Sequence, residues 1–408
     1  MNPVGQAGRR GEQVRSDCWI SVEMRESGGV SIVLKSKVAS MYGDSIRETI
    51  ERGLGALGVK HAAVEAEDSG ALPFVLAARL ETAVKRARPD ITAEFLPDAA
   101  MRTPSATTRD RFRRSRLYLP GNEPKFMVNA GLHHPDAVIL DLEDSVAPSE
   151  KDAARALVRN ALRVIDFAAA ERMVRVNQIP AGLADLDWLV PHGVHVILIP
   201  KCESAEQVKA VHERVEEIRA KRGVKAPVYL MPIVESALGC MNAYAIATAA
   251  PSVVALTIGL EDYTADIGTQ RTNEGRESFW ARSVVVNAAR AAGVQPIDTV
   301  FSDVADMEGL LASVLEAKSL GFDGKGCIHP RQIEVIHKGF TPTAAEIDRA
   351  KKIVVAFEEA QKKGLAVVSL GSKMIDPPVV KRAQRTVELA VAAGALAANW
   401  REGGGGNA

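Results

Sequence analysis

The sequence predicts an α/β protein, a (β/α)8 TIM barrel preceded by a small N-terminal α+β domain and followed by a C-terminal helical extension. Eight short apolar runs alternate with helical stretches over roughly 215 residues, which matches the strand number and size of such a barrel. Charged side chains follow most of these runs directly, as they do at the carboxyl rim of a barrel. No GxGxxG motif follows the first run, which argues against an open dinucleotide-binding sheet.

Composition and charge exclude several classes of protein. The 408 residues carry a formal net charge of zero, so bulk electrostatics give no reason to expect nucleic acid or an anionic membrane as partner. The contents of 47% hydrophobic and 25% charged residues are typical of a soluble globular protein. No apolar run approaches the roughly 20 residues needed to span a bilayer, and the N-terminus lacks the apolar core of a signal peptide. We therefore expect a cytoplasmic protein.

The cysteines are widely spaced and form no CxxC pair. This spacing argues against a zinc site or a disulfide framework, and it favours reduced thiols in the cytosol. The four residues are Cys18, Cys202, Cys240 and Cys327.

We expect four segments: a small domain at 1–88, a linker at 89–112, the barrel at 113–340, and a helical extension with a flexible tail at 341–408. In the small domain, alternating residues predict strands at 19–22, 30–34 and 61–66, and the first 14 residues are predicted to be flexible. A helical period predicts a helix at 44–57, capped by Asp44 or Ser45. Residues 72–86 are predicted to be a strand that enters a helix. The linker shows no clear period.

The predicted barrel strands are apolar runs, and the residues that directly follow or end them carry most of the expected chemistry. The runs lie at 116–119, 137–140, 173–176, 194–199, 228–234, 253–260, 296–300 and 324–328. Because the carboxyl ends of parallel strands meet at one rim, these polar side chains are expected to converge. They are Asp141, Glu143, Asp144, Arg175, Asn177, Lys201, Glu235, Glu261, Asp262, Asp298 and His329.

Glu235 and Asp262 follow the fifth and sixth runs, which are neighbours in the predicted barrel. Two convergent carboxylates suit a hard divalent cation such as Mg²⁺, because they leave further coordination positions for substrate oxygens and water. The alternative role of a carboxylate at a strand end is to cap the next helix.

Other polar residues also have two interpretations. Lys201 is either a Schiff-base lysine, as in some barrel enzymes, or a member of a structural ion pair, which the predicted metal site favours. His329 is interpreted as a hydrogen-bonding rim residue rather than a base. An arginine cluster is interpreted as a solvated face, with contact to CoA phosphates as the alternative. It comprises Arg111, Arg113, Arg114 and Arg116.

Eight motifs in order resemble the citrate lyase β-subunit group of acyl-CoA lyases, in the HpcH/HpaI aldolase superfamily, over residues 113–390. They are RSRLYLPGNEP (114–124), DAVILDLEDSVAPSEK (136–151), VRVN (174–177), IPKCES (199–204), IVESALG (233–239), IGLEDYTADIG (258–268), GFDGKGCIHPRQI (321–333) and MIDPPVVKRA (374–383). Separately, residues 16–88 resemble the citrate lyase γ-subunit, its acyl carrier protein. The chain is therefore similar to a fusion of a carrier with a lyase.

The resemblance implies a role for each matching residue. Glu235 and Asp262 match the Mg²⁺ ligands, and Arg175 matches the arginine that binds a substrate carboxylate. Asp376 matches an aspartate that acts in proton transfer and, in several relatives, reaches into a neighbouring subunit. The residues that match the metal-lining DLED segment or the CoA and substrate end are Asp141, Glu143, Asp144, Arg116, Lys125 and Lys325.

The carrier resemblance includes one departure. In the family, a phosphoribosyl-dephospho-CoA group is attached to the first serine of an ESSD motif. The corresponding segment here is Val14-Arg15-Ser16-Asp17, so Arg15 occupies the attachment position and Ser16 matches the second serine. Either the attachment has moved to Ser16 or this domain carries no prosthetic group.

The resemblance implies a Mg²⁺-dependent carbon–carbon lyase that splits a citryl thioester, carried on CoA or on a carrier, into oxaloacetate and an acetyl thioester by retro-Claisen chemistry. One alternative is a malyl-CoA or citramalyl-CoA lyase with a structural N-terminal domain. Another is a carrier or scaffold subunit that presents an acyl group to a citrate CoA-transferase α-subunit. By resemblance the protein is a homo-oligomer, a trimer or a hexamer.

Overall fold

The structure is a computed structural model that describes residues 2–97, 107–362, 368–370 and 373–401. A four-stranded sheet domain comes first, a closed barrel of eight strands follows, and a helical hairpin ends the described chain. The predicted fold class is thereby confirmed. No helix in the described ranges is long and apolar enough to cross a membrane.

The N-terminal domain is an α+β unit with strand order β1-β2-β4-β3. Strand β2 pairs antiparallel with β1 and β4, whereas β3 and β4 are parallel. Its elements are β1 (Val4–Gly8), β2 (Cys18–Met24), β3 (Val30–Ser36), α1 (Ala39–Ala56), β4 (Ala62–Asp68) and α2 (Pro73–Ala87).

Three predictions for this domain were wrong. The first residues, expected to be flexible, contain β1, which pairs with β2 from Val4 to Gly8. Helix α1 begins at Ala39, so neither Asp44 nor Ser45 caps it, and the N-cap position is Val38. The segment expected to be a strand entering a helix is helical from Pro73 onward, because proline is well tolerated in the first turn.

The barrel closes through parallel pairing of all eight strands in the order β10-β11-β12-β5-β6-β7-β8-β9. Each strand overlaps one of the predicted apolar runs. The strands are β5 (Ser115–Pro120), β6 (Ala137–Asp141), β7 (Glu171–Arg175), β8 (Val196–Ile199), β9 (Tyr229–Val234), β10 (Ala255–Ile258), β11 (Gln295–Asp298) and β12 (Gly324–Cys327).

Helices of very different length connect the strands, and the long ones cover the barrel. Between β5 and β12 lie α3 (Pro124–Met127), α4 (Lys151–Val164), α5 (Leu186–Leu189), α6 (Ala205–Arg222), α7 (Ala237–Met241), α8 (Ala243–Ala247), α9 (Leu260–Asp266), α10 (Phe279–Ala291) and α11 (Met307–Leu320). After β12 follow α12 (Arg331–Phe340), α13 (Ala344–Lys362), β13 (Val368–Leu370), β14 (Lys373–Ile375) and α14 (Pro377–Ala392).

Apolar side chains fill the inside of the barrel, so it is a packed core rather than a pore. The buried cluster comprises Ala137, Ile139, Met173, Val196, Leu198, Met231, Ile233, Ala255 and Ile297. A site for substrate is therefore confined to the rim.

Helix α2 belongs to two hydrophobic cores at once. Phe74, Val75 and Ala78 pack in the core between the barrel strands and their helices. Leu76 and Leu80 pack in the separate core of the N-terminal domain. The helix is therefore enclosed between the two domains.

The segment predicted to be a linker is only partly described, since residues 98–106 lie outside the described residues. Within it, Phe95 is buried in the N-terminal core, and its backbone N–H donates to Glu81 Oε2 at 2.9 Å. The predicted tail beyond residue 401 also lies outside the described residues. The domain boundaries stay predictions.

The arginine cluster before and within β5 is not a solvated face, and that prediction was wrong. Arg113 is fully buried and donates to Glu171 Oε2 at 2.6 Å. Arg114 pairs with Asp136 at 2.9 Å. These pairs join the β5 region to the start of β7 and to the residue before β6. A buried guanidinium requires such a counter-charge.

Candidate active site at the carboxyl rim of the barrel

A cavity of about 400 Å³ opens at the carboxyl ends of the barrel strands. Seven of the residues predicted to carry the chemistry line it, which is the location expected for a barrel enzyme. The predicted residues in its wall are Arg116, Asp141, Asp144, Arg175, Glu235, Glu261 and Asp262.

Glu235 and Asp262 meet because their strands are neighbours. Strands β9 and β10 pair in parallel with Val234 opposite Ile258, so the residues that follow each strand lie close together. A Cβ atom on Gly259 would lie 2.8 Å from Glu235 Cγ, so the glutamate fits only against a glycine. Glu235 is 4% exposed, whereas the Asp262 side chain is 42% exposed.

The pKa of Glu235 is raised to about 8. Burial is the largest cause, followed by a hydrogen bond with Asp262 and the charge of that residue. The Lys201 backbone N–H donates to Glu235 Oε1 at 3.1 Å and opposes this shift. Two carboxyl groups this close repel each other when both are ionised. A divalent cation bound between them would remove that repulsion and take their oxygens as ligands.

The pair alone offers only two protein ligands. In the described part of the chain, no three His, Cys, Asp or Glu side chains converge as a metal cluster. Mg²⁺ commonly binds through one or two carboxylates and keeps several waters, so the two residues fit this ion.

Arg175 is held in place by the acids that follow β6. It donates to both oxygens of Asp141 at 2.7 Å each, and its Nη1 lies 3.0 Å from Glu143 Oε2. Burial would raise the pKa of Asp141, but the hydrogen bonds and charge of Arg175 outweigh it and hold the pKa below its usual value. The guanidinium lies 5.4 Å from the Tyr118 ring centroid. Arg175 thus reaches the cavity with a fixed orientation.

Lys201 lies in an acidic environment. Its Nζ is 2.6 Å from Glu143 Oε1, 3.0 Å from Asp144 Oδ2 and 3.7 Å from Asp262 Oδ1. Burial would lower its pKa, but the hydrogen bonds that Lys201 donates to Glu143 and Asp144 outweigh burial and raise the pKa. A lysine held in its charged form is a poor Schiff-base nucleophile, so the contacts favour the ion-pair interpretation.

The three residues predicted at the CoA or substrate end lie in different environments. Arg116 lines the cavity, and its Nη2 donates to Thr257 Oγ1 at 3.0 Å. Lys325 is fully buried and contacts Asp298 Oδ2 at 2.7 Å. Lys125 lies on α3, pairs with Glu123 at 3.3 Å and is not among the described residues of the cavity wall.

Asp376 and His329 are also outside the described wall of this cavity. Asp376 caps α14, because its Oδ1 accepts the Val379 backbone N–H at 3.2 Å. His329 Nδ1 accepts the Arg331 backbone N–H at 3.1 Å. Their chemical roles stay predictions.

Tyr118 and Thr257 are wall residues that the sequence reasoning missed. Tyr118 is two residues after Arg116, and both point into the barrel because side chains alternate along a strand. That period-two spacing from a predicted rim residue is the signal that could have identified Tyr118.

Comparisons with known proteins agree with this geometry. Residues 114–330 match the family model described as HpcH/HpaI aldolase/citrate lyase. Residues 8–87 match the model of the malonate decarboxylase delta subunit, an acyl carrier protein family. The two matches cover the barrel and the N-terminal sheet domain.

Individual relatives align with more than two thirds of this chain. Citrate lyase subunit beta of Leuconostoc mesenteroides subsp. cremoris is 40% identical over 286 residues, 69% of this chain and 94% of that protein. The mitochondrial citramalyl-CoA lyase of Homo sapiens is 36% identical over 290 residues, 68% of this chain and 85% of that one. The crystal structure of protein CitE from Mycobacterium tuberculosis in complex with magnesium, acetoacetate and coenzyme A is 30% identical. It superposes with a TM-score of 0.57, covering 69% of this chain and 99% of that chain.

Proposed function

This chain belongs to the HpcH/HpaI aldolase/citrate lyase family, and we propose that it is a Mg²⁺-dependent lyase that cleaves a citryl thioester to oxaloacetate and an acetyl thioester. The observation that carries the proposal is the carboxylate pair of Glu235 and Asp262 in one cavity with Arg175. The similarity to a structure that contains magnesium and coenzyme A supports the same assignment.

Each residue has a stated task in this reaction. Glu235 and Asp262 would hold Mg²⁺, which supplies Lewis-acid stabilisation of the oxygen on which negative charge develops. Arg175, oriented by Asp141, would bind a substrate carboxylate through two parallel hydrogen bonds. Such binding fixes the geometry of the bond to be broken.

The reaction also requires two proton transfers. The bond between the thioester α-carbon and the hydroxyl-bearing carbon breaks, the hydroxyl loses its proton, and the released enolate takes one up. We assign one of these transfers to Asp376 of a neighbouring copy in a homo-oligomer. The assignment agrees with the absence of Asp376 from the described wall of its own cavity.

A citramalyl-CoA or malyl-CoA ester is the second candidate substrate. The similarity to citramalyl-CoA lyase favours it, and so does Arg15 at the position where the carrier family has its modified serine. The carrier-like match at residues 8–87 favours the citrate system, including a CoA-transferase partner.

The test is an assay of the purified full chain with citryl-CoA, citramalyl-CoA and malyl-CoA, with Mg²⁺ and after chelation. Glu235→Gln and Asp262→Asn should each lower turnover by more than the roughly 10- to 100-fold typical for residues that merely support metal ligands. Glu217→Gln is the matched control, because Glu217 forms an exposed pair with Arg214 on α6 and is not among the described residues of the cavity wall. Turnover retained in either ligand variant would refute the metal assignment.

Intact-mass measurement of protein from its native host separates the carrier hypothesis from the enzyme hypothesis. A prosthetic group attached at Ser16 would support a role in acyl delivery. An unmodified chain that turns over free CoA esters would assign the N-terminal domain a structural role.

A further inference from the structure

A buried polar path connects the loop before β2 with the β5–α3 loop, which comprises residues 121–123. Arg79, on α2, donates from Nε and Nη2 to the two oxygens of Asp17, at 2.9 Å each. On its other side, Arg79 donates to Asn122 Oδ1 at 2.5 Å and to Asn122 O at 3.3 Å. One guanidinium thus bridges the two domains.

All three residues are shielded from water. Arg79 is fully buried, Asp17 is 3% exposed and Asn122 is 4% exposed. A buried ion pair depends strongly on geometry, because either partner left alone is an uncompensated charge in a weakly polar environment. The path therefore fixes the position of the β5–α3 loop relative to the loop before β2.

The path ends at the candidate active site. Gly121, directly before Asn122, donates its backbone N–H to Asp141 O at 2.8 Å. A Cβ on Gly121 would lie 2.3 Å from that oxygen, so the two backbones approach as closely as glycine permits. Asp141 in turn holds Arg175. A shift of residue 122 would therefore displace Arg175, the residue proposed to bind the substrate carboxylate.

The N-terminal domain contacts the far side of the same loop as well. Arg9, just after β1, forms an ion pair with Glu123, and Glu123 also lies 3.3 Å from Lys125. Two residues of the N-terminal domain thus contact this loop, Arg79 at Asn122 and Arg9 at Glu123.

The docking of the domain is extensive beyond this loop. Glu81 on α2 pairs with Arg159 on α4 at 2.6 Å, and both side chains are fully buried. Arg86 pairs with Asp152 at the start of α4, also at 2.6 Å. These contacts and the two-core packing of α2 hold this domain in place.

We propose that Asp17, Arg79 and Asn122 are positioning residues, and that the N-terminal domain is a fixed clamp on the β5–α3 loop rather than a mobile carrier. Through Gly121, which contacts Asp141, the clamp sets the position of Arg175 in the cavity wall. This inference rests on the proposed lyase function for its substrate, but the clamp itself is a property of the folded chain.

The test compares Asp17→Asn with Asp152→Asn in the full-length protein. Both variants remove one carboxylate that pairs with an arginine of α2, Arg79 for Asp17 and Arg86 for Asp152. The Asp17–Arg79 pair lies within the N-terminal domain, and only that pair lies on the path to residue 122. Asp17→Asn should speed hydrogen exchange of residues 121–127 and raise KM for the thioester about 10-fold with kcat nearly unchanged. Asp152→Asn should leave both readouts at the wild-type values.

Asn122→Ala is the second variant, because it keeps the Asp17–Arg79 pair intact and removes the side-chain oxygen that accepts from Arg79. It also removes a long hydrogen bond, 3.4 Å, that Asn122 Nδ2 donates to Glu150 Oε2. It should reproduce the exchange and KM effects even if Asp17→Asn fails to fold. Unchanged exchange of residues 121–127, or faster exchange with an unchanged KM, would overturn the proposal. If the wild-type protein turns over none of the thioesters, the lyase function fails, and the exchange comparison alone decides the clamp.

Discussion

At the scale of single residues, Glu235 shows what a strand-end position can and cannot predict. Its place after an apolar run predicted a rim carboxylate, and the cavity contains it. Its burial and its pKa of about 8 depend on the close approach of Gly259 and on the facing Asp262. These are three-dimensional facts that no spacing in the sequence expresses.

Two buried histidines should make the protein sensitive to mild acid. Burial, reinforced by nearby arginines, lowers the pKa of His192 to about 3, and burial lowers that of His195 to about 4, from a usual 6.5. Below pH 6.5 these two histidines bind protons in the unfolded chain but not in the folded chain, so their contribution to stability falls as pH falls toward these values. Each histidine contributes a loss of up to about 1.4 kcal/mol per pH unit. Urea unfolding at pH 7 and pH 5 measures the loss.

His192→Asn isolates one of these groups. The asparagine oxygen can accept the hydrogen bond that Arg163 Nη1 makes with His192 Nδ1 at 3.1 Å, but it does not titrate. The variant should lose less stability between pH 7 and pH 5 than the wild type. An identical pH dependence would show that His192 is not responsible.

At the scale of elements, the barrel strands were predictable because a parallel strand covered on both faces is a continuous apolar run. The predicted fold and family are confirmed by the closed barrel and the family match. Strand β1 was not predicted, because close packing against α2 requires a small residue in it. A Cβ on Gly5 would lie 2.0 Å from Ala83 O on α2, so packing requires the small residues that otherwise indicate a flexible segment.

Asp376 occupies the N-cap position of helix α14, and its proposed role in a neighbouring copy can be tested. If Asp376 works in a neighbouring copy, a hybrid oligomer of Asp376→Ala and Arg175→Ala chains contains some sites in which both residues are intact. Mixing the two inactive variants should therefore restore part of the activity. The measurement is turnover after subunit exchange, with exchange verified by mass-tagged chains.

Each variant exchanged with itself is the control for this experiment. Exchange that is complete but restores no turnover would contradict a shared site. In that case Asp376 would be only the cap of α14.

At the scale of the whole molecule, the docking of the two domains was not predictable from sequence. The resemblances identified a carrier-like and a lyase-like part, but the contacts between them join residues far apart in the chain, such as Arg79 with Asn122. Arg113, expected on a solvated face, is another example, because its partner Glu171 is distant in sequence. Long-range pairs of opposite charge leave no periodic signal.

Glu81→Gln should destabilise both domains together. Glu81 binds Arg159 and Lys85, and removal of its charge leaves a fully buried guanidinium with much less compensation. The expected loss in the free energy of unfolding is about 3–5 kcal/mol. Calorimetry should show one transition, shifted to lower temperature, because the two cores share α2.

Glu217→Gln is the matched control, since Glu217 forms an exposed pair with Arg214 on the surface of α6. That variant should change the free energy of unfolding by less than about 1 kcal/mol. Two separate transitions in the wild type, or a loss confined to one of them in Glu81→Gln, would contradict joint unfolding.

The shared helix α2 also has a consequence for the order of synthesis. The N-terminal domain leaves the ribosome first, while the barrel surface that covers Phe74, Val75 and Ala78 is still untranslated. Helix α4, which faces α2 through Arg159 and Asn160, is completed only several seconds later at ordinary translation rates. During that interval the nascent chain exposes an apolar helix face to water. The N-terminal domain should therefore reach its full stability only after α4 has been synthesised.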